Sequence, residues 1–230
     1  MLLFPEILLS QPANWKYLRS SNTGIGGDYQ QAIRMDRFGN KWTGGFMPFW
    51  SEGSVSRFND TAWTCWSNFE GYIPADRVYD IAFDQANGLW VATNGVGNGV
   101  AHGGIAHYDG TTWTQYTTLN TPMPEDDMRG ICVDGNNIVW ATFCNVANGV
   151  GGVAKFDGTT ANIYTPSNSN LQSSRVDKIM ADAQNNIWIG TNMGLVKFDG
   201  LNWIIYLNGS DVTDVEYDAT TNKIYAGTGG

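Results

Sequence analysis

Positively charged residues are scarce in this chain of 230 residues. Lys and Arg together number 13 against 22 Asp and Glu, so the net charge is -9 and the isoelectric point is near 4.5. Proteins hold phosphate backbones and anionic lipid mainly through clustered Lys and Arg. The composition therefore argues against a nucleic acid partner.

Long hydrophobic runs are also lacking. The apolar opening, Met1–Ser10, contains Pro5 and Glu6, has no basic start, and is far shorter than the roughly 20 residues that a membrane helix needs. We therefore expect no membrane insertion of this chain. Residues 1–13 are interpreted either as the remnant of a signal peptide or as an ordinary terminal segment.

Cysteine is equally rare. The three cysteines, Cys65, Cys132 and Cys144, show neither a disulfide framework nor the spacing of metal ligands. The turn that begins at Asp134 would place Cys132 opposite Trp140 rather than opposite another cysteine. We therefore expect three free thiols.

The two histidines do not indicate a metal site. His102 falls in a Gly-rich loop and His107 in a strand, and the loop offers no further His, Cys or carboxylate as a third ligand. The sequence also lacks a Gly-x-Ser-x-Gly nucleophile elbow and an evident base partner for a serine. We thus predict a protein without catalytic residues, metal or cofactor.

Glycine and aromatic residues are what the chain has in quantity, with 28 Gly, 10 Trp, 10 Tyr and 10 Phe. This composition suits β-strands joined by tight turns. The stretch 185–206 shows the pattern in its shortest form. Its runs near 187–191, 195–198 and 203–206 are separated by Asn, Gly and Asp-Gly turn signals, which is typical of consecutive antiparallel strands.

The same unit recurs along the chain. Each copy has an Ile or Val followed three residues later by an Asp, and these residues are Asp36, Asp84, Asp134, Asp182 and Asp218. Each Asp opens a turn, and we predict that its carboxylate bonds that turn's backbone rather than calcium, because the dense ligands of a calcium loop are missing. A later Asn or Gly in each turn is predicted to adopt positive φ.

The repeated Asp residues are spaced 48, 50, 48 and 36 residues apart. A period of this length, with strand rather than helical alternation, predicts the blades of a β-propeller. We predict an all-β fold in which residues 14–230 form four-stranded antiparallel blades. The complete blades lie near 30–66, 78–116, 128–164 and 176–206, with a partial fifth at 212–230. Residues 14–17 resemble the last strand of a unit and would supply the outer strand of the blade that begins at Val212, which gives a five-bladed ring with a defective closing blade as one alternative. We favour part of a larger ring, because residues 226–230 end where the equivalent run 191–194 continues into a third strand.

These repeats resemble a known family. The run 164–171, followed by Asn186-Ile187-Trp188-Ile189-Gly190-Thr191 and Gly194-Leu195-Val196-Lys197-Phe198-Asp199-Gly200, is similar to the two-component-regulator propeller repeat. That family occurs in periplasmic sensor regions of bacterial hybrid histidine kinases and in secreted Bacteroidetes proteins, including a type IX secretion component. The resemblance implies an extracytoplasmic propeller, whether periplasmic, at the cell surface or secreted, and leaves its ligand open.

Three successive blades carry an insertion between their second and third strands, where binding function is often placed. The first insertion is aromatic. Phe46, Phe49 and Trp50, helped by Tyr72 from the neighbouring connection, are predicted to stack on a sugar ring or grip a peptide. The alternative is that these aromatic side chains pack the loop onto its own blade.

The second and third insertions resemble one another and are rich in Gly and Asn. Their candidate ligand-binding residues are Asn94, Asn98, His102, Asn145 and Asn148. The Gly-Val pairs lack the strand-to-helix setting of a dinucleotide site, so phosphate binding is not expected. Extended hairpin arms without a ligand are the alternative.

We therefore predict a non-catalytic extracytoplasmic propeller that binds a glycan, a peptide or a protein partner on its inserted-loop face, as a sensor or a surface module. One alternative is a structural subunit of a surface or secretion assembly, with a partner strand completing the last blade. The other is an enzyme similar to streptogramin lyases, for which His102 would be the catalytic histidine.

Overall fold

The computed structural model describes residues 23–47, 52–95, 103–145 and 149–229. Every regular element in this part of the chain is a β-strand. The described residues contain no helix with the length and hydropathy that a membrane span requires.

The eighteen strands follow one another at short intervals. In chain order they are β1 Tyr29–Met35, β2 Lys41–Met47, β3 Glu52–Phe58, β4 Trp63–Ser67, β5 Arg77–Phe83, β6 Leu89–Asn94, β7 Gly104–Tyr108, β8 Trp113–Tyr116, β9 Met128–Val133, β10 Val139–Asn145, β11 Val150–Phe156, β12 Ala161–Tyr164, β13 Val176–Ala181, β14 Ile187–Thr191, β15 Gly194–Phe198, β16 Trp203–Tyr206, β17 Val212–Asp218 and β18 Lys223–Thr228.

The strands pair as antiparallel meanders in chain order. β1 to β16 form four sheets of four strands, and β17 and β18 form a sheet of two. We call these sheets blades 1 to 5. The predicted architecture of four complete blades and a partial fifth is confirmed.

The first strand of each blade lies at the centre of the arrangement. Contacts join β1 to β5, β5 to β9, β9 to β13, and β13 to β17, so the five first strands stand side by side. Each of them pairs with a neighbour on one edge only, and the other edge faces the central channel. This is the arrangement of propeller blades around an axis.

The hydrophobic core lies between blades rather than within one. Both faces of an inner blade are buried, and the repeated Ile of the first strands shows it: Ile81 is 0 % exposed, Ile131 2 % and Ile179 4 %. The equivalent Ile33 of blade 1 is 65 % exposed, because no blade covers that flank within the described residues. One blade therefore depends on its neighbours for its core.

A carboxylate and an indole tie together the first two strands of each complete blade. The bonds, from indole Nε1 to carboxylate Oδ2, are Trp42 to Asp36 at 2.9 Å, Trp90 to Asp84 at 3.3 Å, Trp140 to Asp134 at 3.0 Å and Trp188 to Asp182 at 2.9 Å. The same carboxylates accept backbone N–H bonds from their own turns, as at Asp182 from Gln184 and Asn186. The predicted turn-bonding role is confirmed.

The predicted positive φ values are also present, and the Asn residues that adopt them also form hydrogen bonds to the preceding blade. Asn87, Asn137 and Asn185 have φ of 70°, 63° and 62°. Their side-chain Oδ1 atoms accept backbone N–H bonds from the preceding blade, for example Asn185 from Gly135 at 2.7 Å and Asn137 from Gln85 at 3.1 Å. The turn residue thus joins adjacent blades.

The three cysteines are free thiols, as expected, and Cys132 lies opposite Trp140 in the register of β9 and β10.

An apolar residue lies eight positions before each repeated Ile or Val in the sequence. It is buried before blades 1 to 4, at Ile25, Ile73, Met123 and Leu171, but Leu207 before blade 5 is 48 % exposed. The connection before blade 5 is shorter and turns at Leu207, whose φ is 48°.

We predict that Asp182→Ala lowers the free energy of unfolding by about 2 kcal/mol, because it leaves the Trp188 indole and two turn N–H groups without their acceptor. Denaturant unfolding followed by Trp fluorescence measures this. The matched control is Asp218→Ala in blade 5, where Tyr225 stands opposite Glu216 in place of the Trp and the carboxylate accepts only from Thr220 and Thr221. A loss at Asp218 as large as that at Asp182 would contradict the indole's contribution.

Stability is predicted to fall with acid. Partial burial raises the pKa of Asp182, but hydrogen bonds from Trp188 and Asn186 outweigh it and hold the pKa below its ordinary value. Backbone and side-chain bonds from Thr160 lower the pKa of the exposed Asp157 to about 2. A folded pKa below the unfolded one stabilises the protein above the unfolded value of about 4, and this is lost as pH falls through the folded pKa. Melting temperatures should be flat from pH 7 to 5 and fall below pH 4, less steeply in Asp182→Asn.

Candidate functional site

Successive connections of an antiparallel meander alternate between the two ends of a blade. The connections after the second strand and those between blades therefore share one end, which we call the loop face; the opposite end is the turn face. The three insertions expected from the sequence follow β2, β6 and β10 and belong to the loop face. Two of them mainly lengthen the paired strands, because β2 and β3 pair up to Met47 and Glu52, and β10 and β11 up to Asn145 and Val150. The loop-face end of each blade thus lies beside the next blade's entry strand.

An aromatic and cationic stack lies on the loop face where blades 1 and 2 meet. The rings of Tyr29 and Phe46 stack with centroids 5.5 Å apart and planes inclined by 26°. The guanidinium carbon of Arg77 lies 4.8 Å from the centroid of Phe46. We call Tyr29, Phe46 and Arg77 the aromatic platform. Phe46 is half-buried in it, whereas Tyr29 is 55 % exposed and offers its ring to a ligand.

The structure places the other candidates in different surroundings. Asn94 ends β6 opposite Arg77, so it adjoins the platform, and its side chain is buried. Asn145 ends β10 and its Nδ2 donates to Glu125 Oε2 at 3.1 Å. Tyr72, in the connection before blade 2, is 37 % exposed. Five candidates lie outside the described residues: Phe49, Trp50, Asn98, His102 and Asn148.

Every first strand is irregular at the same place, just before its repeated Ile or Val. In four blades the register shifts within the first strand itself, between Gln30 and Ala32, Val78 and Asp80, Val176 and Lys178, and Val212 and Asp214. In blade 3 the shift falls on β10, the partner of β9, between Ala141 and Phe143. A bulge re-aims the side chains around it. Here it delivers charged side chains to the channel.

Asp80 of blade 2 is the most buried of these charged groups, at 1 % exposed, and it contacts residues of the three blades 1, 3 and 4. Its carboxylate lies 3.8 Å from the Arg34 guanidinium of blade 1 and 3.7 Å from Lys178 Nζ of blade 4. Ile131 of blade 3 donates its backbone N–H at 3.3 Å. Burial raises the pKa of Asp80, and Lys178 and Arg34 oppose that rise. We call Arg34, Asp80 and Lys178 the ionic hub.

A second chain of ion pairs runs from the hub toward the loop face. Asp177 of blade 4 pairs with Arg129 of blade 3 at 3.1 Å and with Arg175 at 3.2 Å. Arg175 also lies 3.9 Å from Asp211, which precedes blade 5. These pairs fix the relative positions of three successive first strands at the channel.

His107, the described histidine, has a structural environment on the turn side of blade 2. Its ring stacks on Trp90 with centroids 4.3 Å apart, and Nε2 lies 2.9 Å from Asp84 Oδ2. Cations hold the equivalent place over the repeated Trp in the other complete blades: Arg57, Lys155 and Lys197. The described residues contain no group of three His, Cys, Asp or Glu able to hold a metal ion.

Sequence reasoning overlooked Tyr29, Arg77 and the ionic hub. One sequence feature points to the hub: Asp80 and Lys178 each directly precede the repeated Ile. Strand alternation places that position on the face of a blade, where an unpaired charge is unexpected. Their mutual approach depends on the bulges and on the ring, which the local sequence pattern does not reveal.

The chain thus has the fold of a β-propeller whose loop face carries its irregular features. The family model described as Two component regulator propeller matches residues 72–95 and 170–193. Each match covers a blade entry and the first two strands of blade 2 or blade 4. The resemblance read from the repeats is confirmed in these two segments. Among curated proteins, no relative matches.

Solved structures share the fold. The extracellular domain of the hybrid two component system BT3049 from B. thetaiotaomicron is 18 % identical with a TM-score of 0.64, over 81 % of this chain and 24 % of that one. The extracellular domain of BT4673 from the same organism is 19 % identical with a TM-score of 0.65, over 90 % and 29 %. The chain therefore spans about a quarter of the length of these proteins.

Propellers with other roles are similar too. PorZ, a bacterial surface component of the type-IX secretion system of Porphyromonas gingivalis, is 13 % identical with a TM-score of 0.52, over 85 % of this chain and 38 % of that one. A gluconolactonase from Xanthomonas campestris is 10 % identical with a TM-score of 0.61, over 87 % and 69 %. Identities this low establish the fold alone, and the fold serves enzymes and non-enzymes.

We predict that Asp80→Asn lowers the free energy of unfolding by about 2 kcal/mol, since it leaves Lys178 and Arg34 without their shared anion while both cations stay partly hydrated. The double variant Asp80→Asn with Lys178→Met should recover part of the loss, because it removes one unpaired charge. Chemical denaturation of both variants measures this. Equal stability of wild type and Asp80→Asn would show that the hub does not hold the blades.

Proposed function

We propose that this protein is a non-catalytic, extracytoplasmic propeller that binds a ligand on its loop face, as a sensor or surface module. The observation that carries the proposal is the aromatic platform at the loop-face ends of β1, β2 and β5. Tyr29 offers an exposed ring, and Arg77 offers a guanidinium at the same junction of blades. Such a pair recognises a flat, partly apolar ligand with an acceptor group.

A sugar ring and an aromatic peptide side chain both meet this description. The stacked ring of Phe46 supports Tyr29 from behind, which lowers the entropy lost when a ligand binds. Asn94 stands opposite Arg77 in the register, where its buried side chain adjoins the platform. A pyranose matches these groups better than a peptide, because its hydroxyls supply donors and acceptors on the rim of an apolar face.

The extracytoplasmic location rests on the similar proteins. Two of them are extracellular domains of two component systems, and a third is a surface component of a secretion system. One propeller with a TM-score of 0.53 is described as bound to a D1 peptide, so the fold accommodates peptides as well. A lyase-like activity would rest on His102, which lies outside the described residues.

The test is binding of Tyr29→Ala and Arg77→Ala to immobilised oligosaccharides, neutral and uronic, and to aromatic peptides, measured by biolayer interferometry. We expect an oligosaccharide bound by the wild type to lose about tenfold or more in affinity with each variant, the effect of removing a central contact.

The chain offers a matched control on the turn face. Phe38 is 71 % exposed, and the guanidinium carbon of Arg37 lies 4.9 Å from its ring centroid. Phe38→Ala should therefore leave binding unchanged. Equal losses with Phe38→Ala and Tyr29→Ala, or no loss with either platform variant, would refute the loop-face site. Selective binding of the peptides would replace the sugar with a peptide ligand.

A further inference from the structure

A groove of about 440 Å³ opens on the flank of blade 1 that no other blade covers within the described residues. Most of the side chains that line it are apolar, among them Ile25, Ala32, Ile33, Phe58 and Trp63. The equivalent surface of blade 2 belongs to a core cluster that blade 1 completes. The groove is thus the place where a preceding segment of chain would pack.

The receiving surface is already formed in blade 1. The rings of Phe58 and Trp63 stack with centroids 5.0 Å apart and planes inclined by 27°. The equivalent pair in blade 2, Tyr108 and Trp113, has 5.0 Å and 25°, and the pair in blade 4 has 4.5 Å and 29°. Blade 1 therefore presents the same aromatic pair as two blades that have a neighbour on this side.

In blades 2 and 4, an aromatic ring of the preceding blade covers this pair. The ring centroid of Trp66 in blade 1 lies 5.2 Å from that of Tyr108 and 6.0 Å from that of Trp113. Tyr164 of blade 3 lies 5.6 Å from Phe198 of blade 4, again between centroids. Each covering ring belongs to the fourth residue of an outermost strand, β4 or β12.

The sequence supplies an equivalent residue for blade 1. The outermost strands β4 and β8 begin with Trp63 and Trp113, each 18 positions before the repeated Ile of the next blade. Trp15 likewise stands 18 positions before Ile33 of blade 1. The fourth residue counted from Trp15 is Leu18, so an apolar side chain falls at the position of the covering ring.

The charge pattern of the same segment agrees with this placement. Lys16 is the one charged residue in the run 14–18. It falls at the second position of the strand, where Thr64, Thr114 and Asn162 are exposed in blades 1 to 3. The ammonium group would therefore stay in water while Leu18 faces the groove.

The described chain passes close to the aromatic pair. A Cβ on Gly24 would lie 2.6 Å from Cβ of Trp63, so the backbone runs directly beside that side chain. Ile25, which follows, is 8 % exposed. Leu18 precedes Gly24 by six residues, and six residues span at most about 20 Å. Leu18 is therefore within reach of the pair.

We propose that residues 14–18 of this chain occupy the groove as an outer strand, with the side chain of Leu18 covering Phe58 and Trp63. Burial of an apolar side chain against the two rings drives the docking. The groove is then an internal contact of the protein rather than a ligand site. This proposal does not depend on the ligand-binding function proposed above.

Digestion with trypsin tests the docking, because Lys16 and Arg19 flank Leu18 and offer two cleavage sites. A docked segment is cut only while it is open, so the cleavage rate follows the open fraction. In the full chain, we expect cleavage after Lys16 and Arg19 to be about tenfold or more faster in Leu18→Asn than in the wild type, since the variant loses the apolar contact. Mass spectrometry of the released peptides follows both sites.

Variants of the groove leave the cleavage sites unchanged. Trp63→Ala should accelerate cleavage by a similar factor, whereas the matched control Trp113→Ala, in the covered pair of blade 2, should leave it at the wild-type rate. The double variant Leu18→Asn with Trp63→Ala should be cut no faster than either single variant. A thermal melt verifies folding before digestion, and Leu18→Asn, which changes no residue of the groove, keeps the test valid if Trp63→Ala does not fold.

Equal cleavage rates of the wild type and Leu18→Asn would show that the proposal is wrong. Protection that increases with protein concentration would assign the groove to the segment of a second copy and would also overturn it. So would effects that multiply in the double variant, because Leu18 and Trp63 would then act independently.

Discussion

The bond between a repeated Asp carboxylate and a repeated Trp indole is the interaction on which each complete blade depends. It fixes the first turn, sets the register of the first two strands, and holds the large Trp ring at the boundary between blades. A cation then covers that ring in blades 1, 3 and 4, and the imidazole of His107 covers it in blade 2. The core between blades forms around side chains that this bond has already positioned.

Blade 2 shows how this constraint is met with other residues. Where blades 1 and 4 have Asn40 and Asn186, whose amides bond the Asp carboxylate, blade 2 has Gly88. The missing side chain leaves space for His107, which bonds Asp84 instead; a Cβ at Gly88 would lie 2.4 Å from its Nε2. Asp84 therefore keeps a side-chain hydrogen-bond partner, although that partner is a histidine rather than an asparagine.

The repeats differ most from one another at the loop face and in the channel. The turn face is regular, because the same Asp to Trp bond recurs in every complete blade. The aromatic platform occupies a loop-face junction, and the ionic hub uses the bulges of the first strands. Proteins described as sensor domains, a secretion component and a gluconolactonase share this fold, so the fold by itself does not decide function.

The sequence by itself determined the blades, because strand alternation, Asn and Asp-Gly turns and the Asp to Trp spacing are local and recur. It also determined the free thiols and the positive φ at Asn87, Asn137 and Asn185. Only the tertiary structure decided which charges meet. Asp80 and Lys178 are 98 positions apart in the chain, and one bulge in each strand aims them into a channel that the ring creates. Likewise, Arg77 of blade 2 reaches Phe46 and Tyr29 of blade 1 only where the two blades pack together, so the aromatic platform is a product of the ring.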